Sequence, residues 1–320
     1  MPNDAQHFPN RASWIVPLAV ALLPLLLRST TLASEVVVFA TGALSASLLL
    51  GAAGMLSFGQ GLYFGLGAYV GGLLLRDAGA DLLVALPLAA VAGAVLALAI
   101  GALIVRRQGV YFVMLTLAFA QMGYFAMLAF KDVTGGENGL TGIPSALTLA
   151  GIVRVSGTAT VYVLLAVVFV LVFLLVQRML ASPLGSVLRA IRDNPGRAAA
   201  LGYNVRRHRI AAFGFAGGMA GLAGAMQSAF LGFVPPTSIE LDMSQRLLIM
   251  AIIGGVAAPP GALAGAAFYV VCAELLSALW PRWLALIAVL LIAIVLFLRG
   301  GLWSGTGQLL LALRRSLQRA

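Results

Sequence analysis

Residues 82–105 read LLVALPLAAVAGAVLALAIGALIV, a stretch of the chain without a single charged residue. The hydrocarbon core of a bilayer is about 30 Å thick, and a helix of roughly 20 apolar residues crosses it. Over all 320 residues, 62% are hydrophobic and 9% are charged, against roughly 45–50% and 25% in soluble domains. So few polar side chains cannot cover a water-soluble surface. The composition excludes a soluble enzyme, a soluble nucleic-acid-binding protein, a coiled coil and a disordered chain. It predicts an all-α integral membrane protein.

Similar apolar stretches recur along the chain and predict a polytopic bundle of about ten transmembrane segments, with eight as the lower bound. They are 13–28, 32–56, 58–75, 82–105, 110–130, 160–178, 208–233, 246–258, 261–280 and 283–298. The eighth is short and ends at Pro259 and Pro260, which predicts a break at or within the membrane. The first could instead be a signal peptide, but Arg28 follows its apolar part and favours a retained helix.

The basic residues give the orientation of these segments. Ten segments with the N-terminus inside put fourteen basic residues on the cytoplasmic side and six on the outer side, as the positive-inside rule requires. The cytoplasmic set is Arg11, Arg106, Arg107, Arg178, Arg189, Arg192, Arg197, Arg206, Arg207, Arg209, Arg299, Arg314, Arg315 and Arg319. We therefore expect a cytoplasmic tail at 1–12, a transmembrane domain at 13–298 and a basic cytoplasmic tail at 299–320. Topology also accounts for the net charge of +10 without a nucleic-acid partner.

The residues that most enzymes need are scarce. The only lysine is Lys131, and no phosphate-binding loop of the G-x-x-x-x-G-K-[ST] type occurs. Two histidines, His7 and His208, and the single Cys272 provide neither a catalytic triad nor a metal-ligand pattern. We predict no catalytic, cofactor-binding or metal-binding residues, and a chain that is not an enzyme by itself.

Three groups of residues in or beside the predicted segments remain. Small residues at helical spacing predict close helix–helix packing in lipid; they are Gly61, Gly65, Gly67, Gly71, Gly214, Gly217, Gly218, Gly221 and Gly224. Four polar residues, Ser57, Gln60, Thr116 and Gln121, either line a transport path or form hydrogen bonds between helices. Glu35 and Glu274 are the only ionisable residues expected within the segments.

The inner loop, residues 179–207, has the most distinctive pattern of the connections. Pro183 can begin a helix, and Leu184, Val187, Leu188 and Ile191 then share one apolar face. A second helical piece is expected at 196–201, ended by Gly202. The loop contains five arginines and a single acidic residue, Asp193. An exposed apolar face among basic residues favours a docking element for a cytoplasmic partner over a simple solvated connector.

Several stretches in order resemble the LivM-type permeases of branched-chain amino-acid ATP-binding-cassette importers. They are GAAGMLSFGQGLYFGLGAYVGG at 51–72, RQGVYFVMLTLAF at 107–119, TGGENGLTGIP at 134–144, the loop RAIRDNPGRAAALGYNV at 189–205 and LGFVP at 231–235. The resemblance covers roughly residues 40–300. One departure is Ala257-Ala258-Pro259-Pro260-Gly261, where the family usually has a Gly-Ser/Thr-x-x-Gly-Pro sequence.

The resemblance implies partners and a site. A second, LivH-type permease, two cytoplasmic ATPase subunits that bind ATP and magnesium, and a periplasmic substrate-binding protein are expected, in the bacterial inner membrane. The inner loop then corresponds to the coupling helix, with contacts expected at Leu184, Leu188, Ile191, Arg192, Asp193, Ala198 and Gly202. Transport would proceed by alternating access. Permeases for urea and short-chain amides are closely similar, so the substrate remains open, and a stand-alone secondary transporter is the alternative from another class.

Overall fold

The computed structural model describes residues 12–107, 109–144, 147–149, 153–155, 157–279, 282–297 and 300–303. The predicted tails at 1–12 and 299–320 lie almost entirely outside these residues. The described chain is overwhelmingly helical, as the composition predicts.

Thirteen α-helices are described in chain order. They are α1 Ala12–Leu27, α2 Thr30–Ser47, α3 Gln60–Arg76, α4 Leu82–Ile104, α5 Val110–Ala129, α6 Lys131–Thr134, α7 Thr158–Ala181, α8 Pro183–Asp193, α9 Pro195–Ala200, α10 Val205–Leu231, α11 Leu241–Gly254, α12 Pro260–Leu279 and α13 Trp283–Phe297. A π-helix, Leu48–Ala52, continues α2, and short 3₁₀ turns cover Gly136–Asn138 and Pro236–Ser238. Two three-residue strands, β1 Leu147–Leu149 and β2 Val153–Val155, pair antiparallel in the loop before α7.

Six of the described helical segments are long and apolar enough to cross a membrane. They are Thr30–Ala52, Leu82–Ile104, Val110–Ala129, Thr158–Ala181, Val205–Leu231 and Pro260–Ala278. Trp14–Leu27 and Trp283–Ile294 are apolar but shorter, and α3 and α11 have 17 and 14 residues. The polytopic all-α membrane class is confirmed, whereas the count of ten segments and the orientation stay predictions.

Glycines bring α10 into backbone contact with α3 and α4. A Cβ atom added to Gly67 would stand 1.9 Å from the Gly221 carbonyl oxygen, and one on Gly224 would stand 1.8 Å from the Phe64 carbonyl oxygen. Gly217 meets α4 in the same way, 2.9 Å from the Gly93 carbonyl oxygen. Only residues without a side chain allow helix axes to approach so closely. The close packing predicted from the glycine spacing is therefore confirmed.

The chain leaves the helical conformation between α2 and α3. Two segments were predicted here, 32–56 and 58–75, but the helix ends at Ala52 and resumes only at Gln60. Gly54, with φ of +66°, stands in this break. The second predicted break is also present, since α11 ends at Gly254, Gly255 has a φ of +108°, and α12 begins at Pro260.

Helix α11 runs parallel to α2 along the middle of the bundle. Leu247 packs on Gly42 near the centre of Thr30–Ala52, and the Val256 carbonyl packs on Gly51 at the end of that segment. The helix begins at Leu241, five residues before the predicted start, because Pro235 and Pro236 form a turn and an acidic residue stands in the first helical turn. Asp242 and Arg246 thus lie beside α2. Because α11 is not among the segments long enough to cross a membrane, the expectation that Glu35 and Glu274 are the only ionisable residues within the segments stays a prediction.

Candidate functional site

The inner loop forms two short helices whose ends are defined by ordinary capping chemistry. Ser182 precedes Pro183, which occupies the first turn of α8. The Asn194 side chain then accepts a hydrogen bond of 2.9 Å from the backbone N–H of Arg197 and caps α9. Gly202 follows α9 with a φ of +88°. The two helical pieces predicted for this loop are therefore present, within a residue of the expected bounds at each described end.

The apolar face of α8 does not point away from the molecule. Leu188 and Ile191 are fully buried, and Ala198 on α9 is 2% exposed. The expectation of an exposed apolar face is wrong for these residues, because they pack against the chain's own bundle. The contact role assigned to them stays a prediction, and in this conformation their side chains hold α8 and α9 in place.

Other residues of α8, α9 and their flanks form the surface available to a partner. Leu184 is 39% exposed, Leu201 is 72% exposed and Tyr203 is 44% exposed. Arg192, Asp193 and Gly202 are also exposed. We call the exposed residues of 183–203 the α8–α9 surface. It combines apolar side chains with the basic residues that the sequence pattern indicated.

Arg192 connects α8 to the break that follows α2. Its guanidinium Nη1 donates a hydrogen bond to the Gly51 carbonyl at the π-helix, and its Nη2 lies 3.0 Å from the Asp193 carboxylate. Its Cγ lies only 2.6 Å from where a Cβ atom on Gly54 would stand. Arg192 thus joins α8 directly to residues 51–54.

Side-chain hydroxyls hold the break itself. The backbone N–H of Phe58 donates to Thr116 Oγ1 at 3.2 Å, that of Gly59 donates to Ser57 Oγ at 3.1 Å, and that of Gly61 donates to Ser244 Oγ at 2.8 Å. Backbone groups that leave a helix inside a membrane need such partners, since lipid offers none. Ser57 and Thr116, predicted as path-lining or hydrogen-bonding residues, form hydrogen bonds here; a path-lining role stays a prediction.

Gln60 is the polar residue at the centre of this region. It is 1% exposed, and its Oε1 accepts a hydrogen bond of 3.1 Å from Ser45 Oγ. Its Nε2 has no partner among the described residues. Leaving a buried donor unpaired costs about 1–3 kcal/mol. An unpaired group of this kind in a native structure therefore calls for an explanation. Gln121, further along α5, is half-exposed and lies outside this hydrogen-bonded group.

The sequence pattern missed a second polar group, on α11. Glu240, just before α11, interacts with the Tyr124 hydroxyl of α5. Asp242 and Gln245 are exposed, and Arg246 is half-buried within electrostatic range of Glu35. An acidic residue in a first helical turn is a known start signal, and it could have placed the start of α11 correctly.

The polar residues of this region are grouped at breaks in the helical backbone. Within the part of the chain that the structure describes, no group of three or more His, Cys, Asp or Glu side chains could hold a metal ion. The polar groups instead follow two interruptions of the helical backbone, 53–59 and 232–240, which approach each other where Gly61 contacts Ser244.

Comparison with known proteins agrees with this architecture. The family model described as "Branched-chain amino acid transport system / permease component" matches residues 29–298. The chain is 28% identical to the LivM permease protein of the high-affinity branched-chain amino acid transport system of Escherichia coli (strain K12), over 82% of this chain and 67% of that protein. It is 27% identical to the Salmonella typhimurium LivM protein, over 78% of this chain and 63% of that protein.

An archaeal protein from Methanocaldococcus jannaschii, a probable LivH permease protein, is 28% identical over 65% of this chain and 67% of its own length. The chain thus spans about two thirds of the length of these relatives. No solved structure matches it. The family model covers most of the chain, and so the resemblance in the sequence motifs is confirmed: the chain belongs to the family of permease components of branched-chain amino acid transport systems.

Proposed function

We propose that this chain is the membrane subunit of an ATP-driven importer of branched-chain amino acids in a bacterial inner membrane. A second permease, two ATPase subunits and a substrate-binding protein would complete the assembly. The family match and the LivM and LivH names of the relatives support this proposal. The chain itself lacks a phosphate-binding loop, so ATP and magnesium would bind to the ATPase subunits.

The observation that best supports this proposal is the hydrogen bond from Arg192 to the Gly51 carbonyl, because it links the α8–α9 surface to the break after α2. The α8–α9 surface would receive an ATPase subunit through Leu184, Leu201 and Tyr203. A shift of α8 would pull on the π-helix of α2 and on the break at 53–59. The break ends at Gln60, and so a change outside the membrane would reach the polar centre of the bundle.

We propose that this connection serves alternating access. The hydroxyl groups that hold the break can exchange partners, because each net hydrogen bond contributes only about 1 kcal/mol. ATP binding on the partner would move α8 and favour one arrangement of the break, and hydrolysis would favour the other. A solute would then meet an opening on one side of the membrane at a time.

The first experiment is purification of the tagged chain from its own membranes in mild detergent, with mass spectrometry of the retained proteins. We expect ATPase chains and a second permease, together with energy-dependent uptake of radiolabelled leucine that a deletion of the gene abolishes. Reproducible isolation of this chain alone, across several detergents, would refute the importer assembly.

Arg192→Gln then tests the route of coupling. We expect leucine uptake to fall about tenfold or more, which corresponds to about 1.4 kcal/mol, while the ATPase subunits still co-purify. Arg207→Gln is the matched control, since this arginine is also exposed but lies outside the α8–α9 surface, and none of the hydrogen bonds or ion pairs among the described residues involves its side chain. Equal uptake by the two variants would contradict the coupling route.

A further inference from the structure

Helix α11 presents a polar stripe on an open side of the molecule. Asp242 and Gln245 are exposed, and Arg246 is half-buried. The stripe continues along the helix as Ile249 and Ile252, both partly exposed. Spacing of three and four residues places these side chains on one face. One end of the face is therefore charged and the other is aliphatic.

The charged part of this stripe lies, along the helix axis, between the two ends of the segment Thr30–Ala52. Thr30–Ala52 has 23 residues, which at 1.5 Å per residue makes a segment of about 34 Å, enough to cross a bilayer core. Leu247 is level with Gly42, about 18 Å from Thr30 along the axis of α2. Because α11 runs parallel to α2, Arg246 lies about 16 Å and Asp242 about 10 Å from the Thr30 end.

Asp242 and Arg246 form no ion pair with each other in this conformation, and Arg246 lies within electrostatic range of Glu35 on α2. Acid and base four residues apart on a helix commonly form an ion pair. Among the described residues, however, ion pairs within 4 Å join only Arg76 to Asp77 and Arg192 to Asp193. A charged side chain at this depth is too costly to face lipid, and such residues line water-filled cavities or contact other protein.

We propose that Asp242 and Arg246 form a transit site for a zwitterionic aliphatic α-amino acid, on the basis that the chain works in the importer described above. The Arg246 guanidinium would bind the α-carboxylate, since its planar fork matches a carboxylate. The Asp242 carboxylate would bind the α-ammonium group. Ile249 and Ile252 would contact the branched side chain, and this gives the site a preference that charge alone does not provide.

The opposite charges, together with the aliphatic continuation of the stripe, favour a zwitterion over other solutes. A neutral solute such as an amide would gain nothing from a full charge at each end of the site. An anion or a cation would be repelled by one of the two residues. Brief occupancy suits a path, because a solute that binds too tightly would not leave it.

The test uses the complete importer, expressed with its partner subunits in cells that lack other branched-chain amino acid uptake. Arg246→Gln and Asp242→Asn remove one charge each with little change in shape. We expect each to lower the rate of leucine uptake about tenfold, equivalent to about 1.4 kcal/mol. Membrane abundance, co-purifying permease and ATPase, and ATP hydrolysis stimulated by the binding protein should stay as in the wild type. Arg246→Lys, which keeps the charge, should restore part of the uptake.

Two further variants test whether Asp242 and Arg246 act on the solute or only pair with each other. Arg282→Gln removes an exposed arginine outside α11 and should leave uptake unchanged. In Asp242→Asn/Arg246→Gln both charges are absent, and we expect uptake as low as in the single variants or lower. Near-normal uptake by this double variant would mean that the two residues serve only to pair with each other, and it would refute the transit site.

The remaining outcomes distinguish failure of the transit site from failure of the proposed function. Uptake within twofold of the wild type in both single variants refutes the transit site alone, because the wild-type control still demonstrates import. Loss of the co-purifying permease in these variants assigns the stripe to a contact between permeases and also refutes the site. Absence of leucine uptake by the wild type refutes the proposed function, and the transit site with it.

Discussion

The contact of α10 with α3 and the break between α2 and α3 lie side by side but are held together differently. In the first, backbone meets backbone, and a single added methyl group at Gly67 or Gly224 would overlap a carbonyl oxygen. In the second, the hydroxyls of Thr116, Ser57 and Ser244 occupy backbone N–H groups that have left the helix. Close-packed contacts resist gradual displacement, whereas hydroxyl hydrogen bonds can rotate to new partners. The glycine contact therefore provides a rigid frame against which the break can move.

Gly224→Ala is expected to have the largest effect, because it forces the backbone of α10 away from α3. Overpacking of this kind costs about 3 kcal/mol or more when only backbone atoms are in the way. We expect little folded protein, measured as membrane abundance and as a monodisperse peak in detergent. Gly196→Ala is the control, since a Cβ atom there meets its nearest neighbour at an ordinary 3.4 Å. Normal abundance of Gly224→Ala would show that the frame is not rigid.

Ser244→Ala is expected to have a smaller effect, since it removes the partner of the Gly61 N–H and leaves the backbone in place. An unpaired buried donor costs about 1–3 kcal/mol. Detergent-solubilised protein should therefore lose several degrees of melting temperature while keeping its abundance. Ser244→Thr keeps the hydroxyl and serves as the control. A melting temperature equal to the wild type in Ser244→Ala would mean that water or another group satisfies Gly61.

Thr116→Val tests the other end of the break in a shape-conserving way. The hydroxyl is replaced by a methyl group, and the Phe58 N–H loses its partner at 3.2 Å. Hydrogen bonds between membrane helices contribute about 0.6 kcal/mol on average, so the loss of stability should be about 1 kcal/mol or less. Thr116→Ser should behave as the wild type in the same thermal unfolding measurement. A loss as large as that of Gly224→Ala would contradict the contrast between frame and break.

The sequence predicted the frame better than it predicted the break. Small residues at fixed helical spacing have a local meaning, so Gly67, Gly221 and Gly224 could be assigned to close packing without knowledge of the fold. The sequence predicts a break of only one residue, between the segments 32–56 and 58–75, whereas the observed break covers 53–59. Residues such as Met55 and Leu56 are apolar, and apolar composition does not distinguish helix from irregular backbone. Only the hydroxyl partners on α5 and α11, which are distant in sequence, stabilise that irregular conformation.

The inner loop, residues 179–207, illustrates a different limit of the sequence analysis. The periodicity of Leu184, Leu188 and Ile191 correctly predicted an amphipathic helix. Periodicity identifies an apolar face but not what covers it, and Leu188 and Ile191 proved to be buried by the chain's own helices. The start of α11 was misplaced for a related reason, since Asp242 and Arg246 interrupt the apolar run by which membrane segments are found. Charged residues near the start of an apolar helix thus obscure the signal that locates it.

Of these substitutions, Gln60→Leu should change the stability of the protein least. Its effect should fall on the rate of transport instead. The Nε2 atom of Gln60 has no partner among the described residues, and the single hydroxyl hydrogen of Ser45 can donate to the Gly42 carbonyl oxygen, 2.7 Å from Oγ, when Gln60 is removed. Removal of the amide therefore relieves the cost of one buried unpaired donor, and the melting temperature should stay within a few degrees of the wild type or rise. If Gln60 lines the path, leucine uptake should nevertheless fall about tenfold. Unchanged uptake and unchanged stability together would leave the unpaired amide without a role in transport, and residues of the break would then act only through their hydrogen bonds to the backbone.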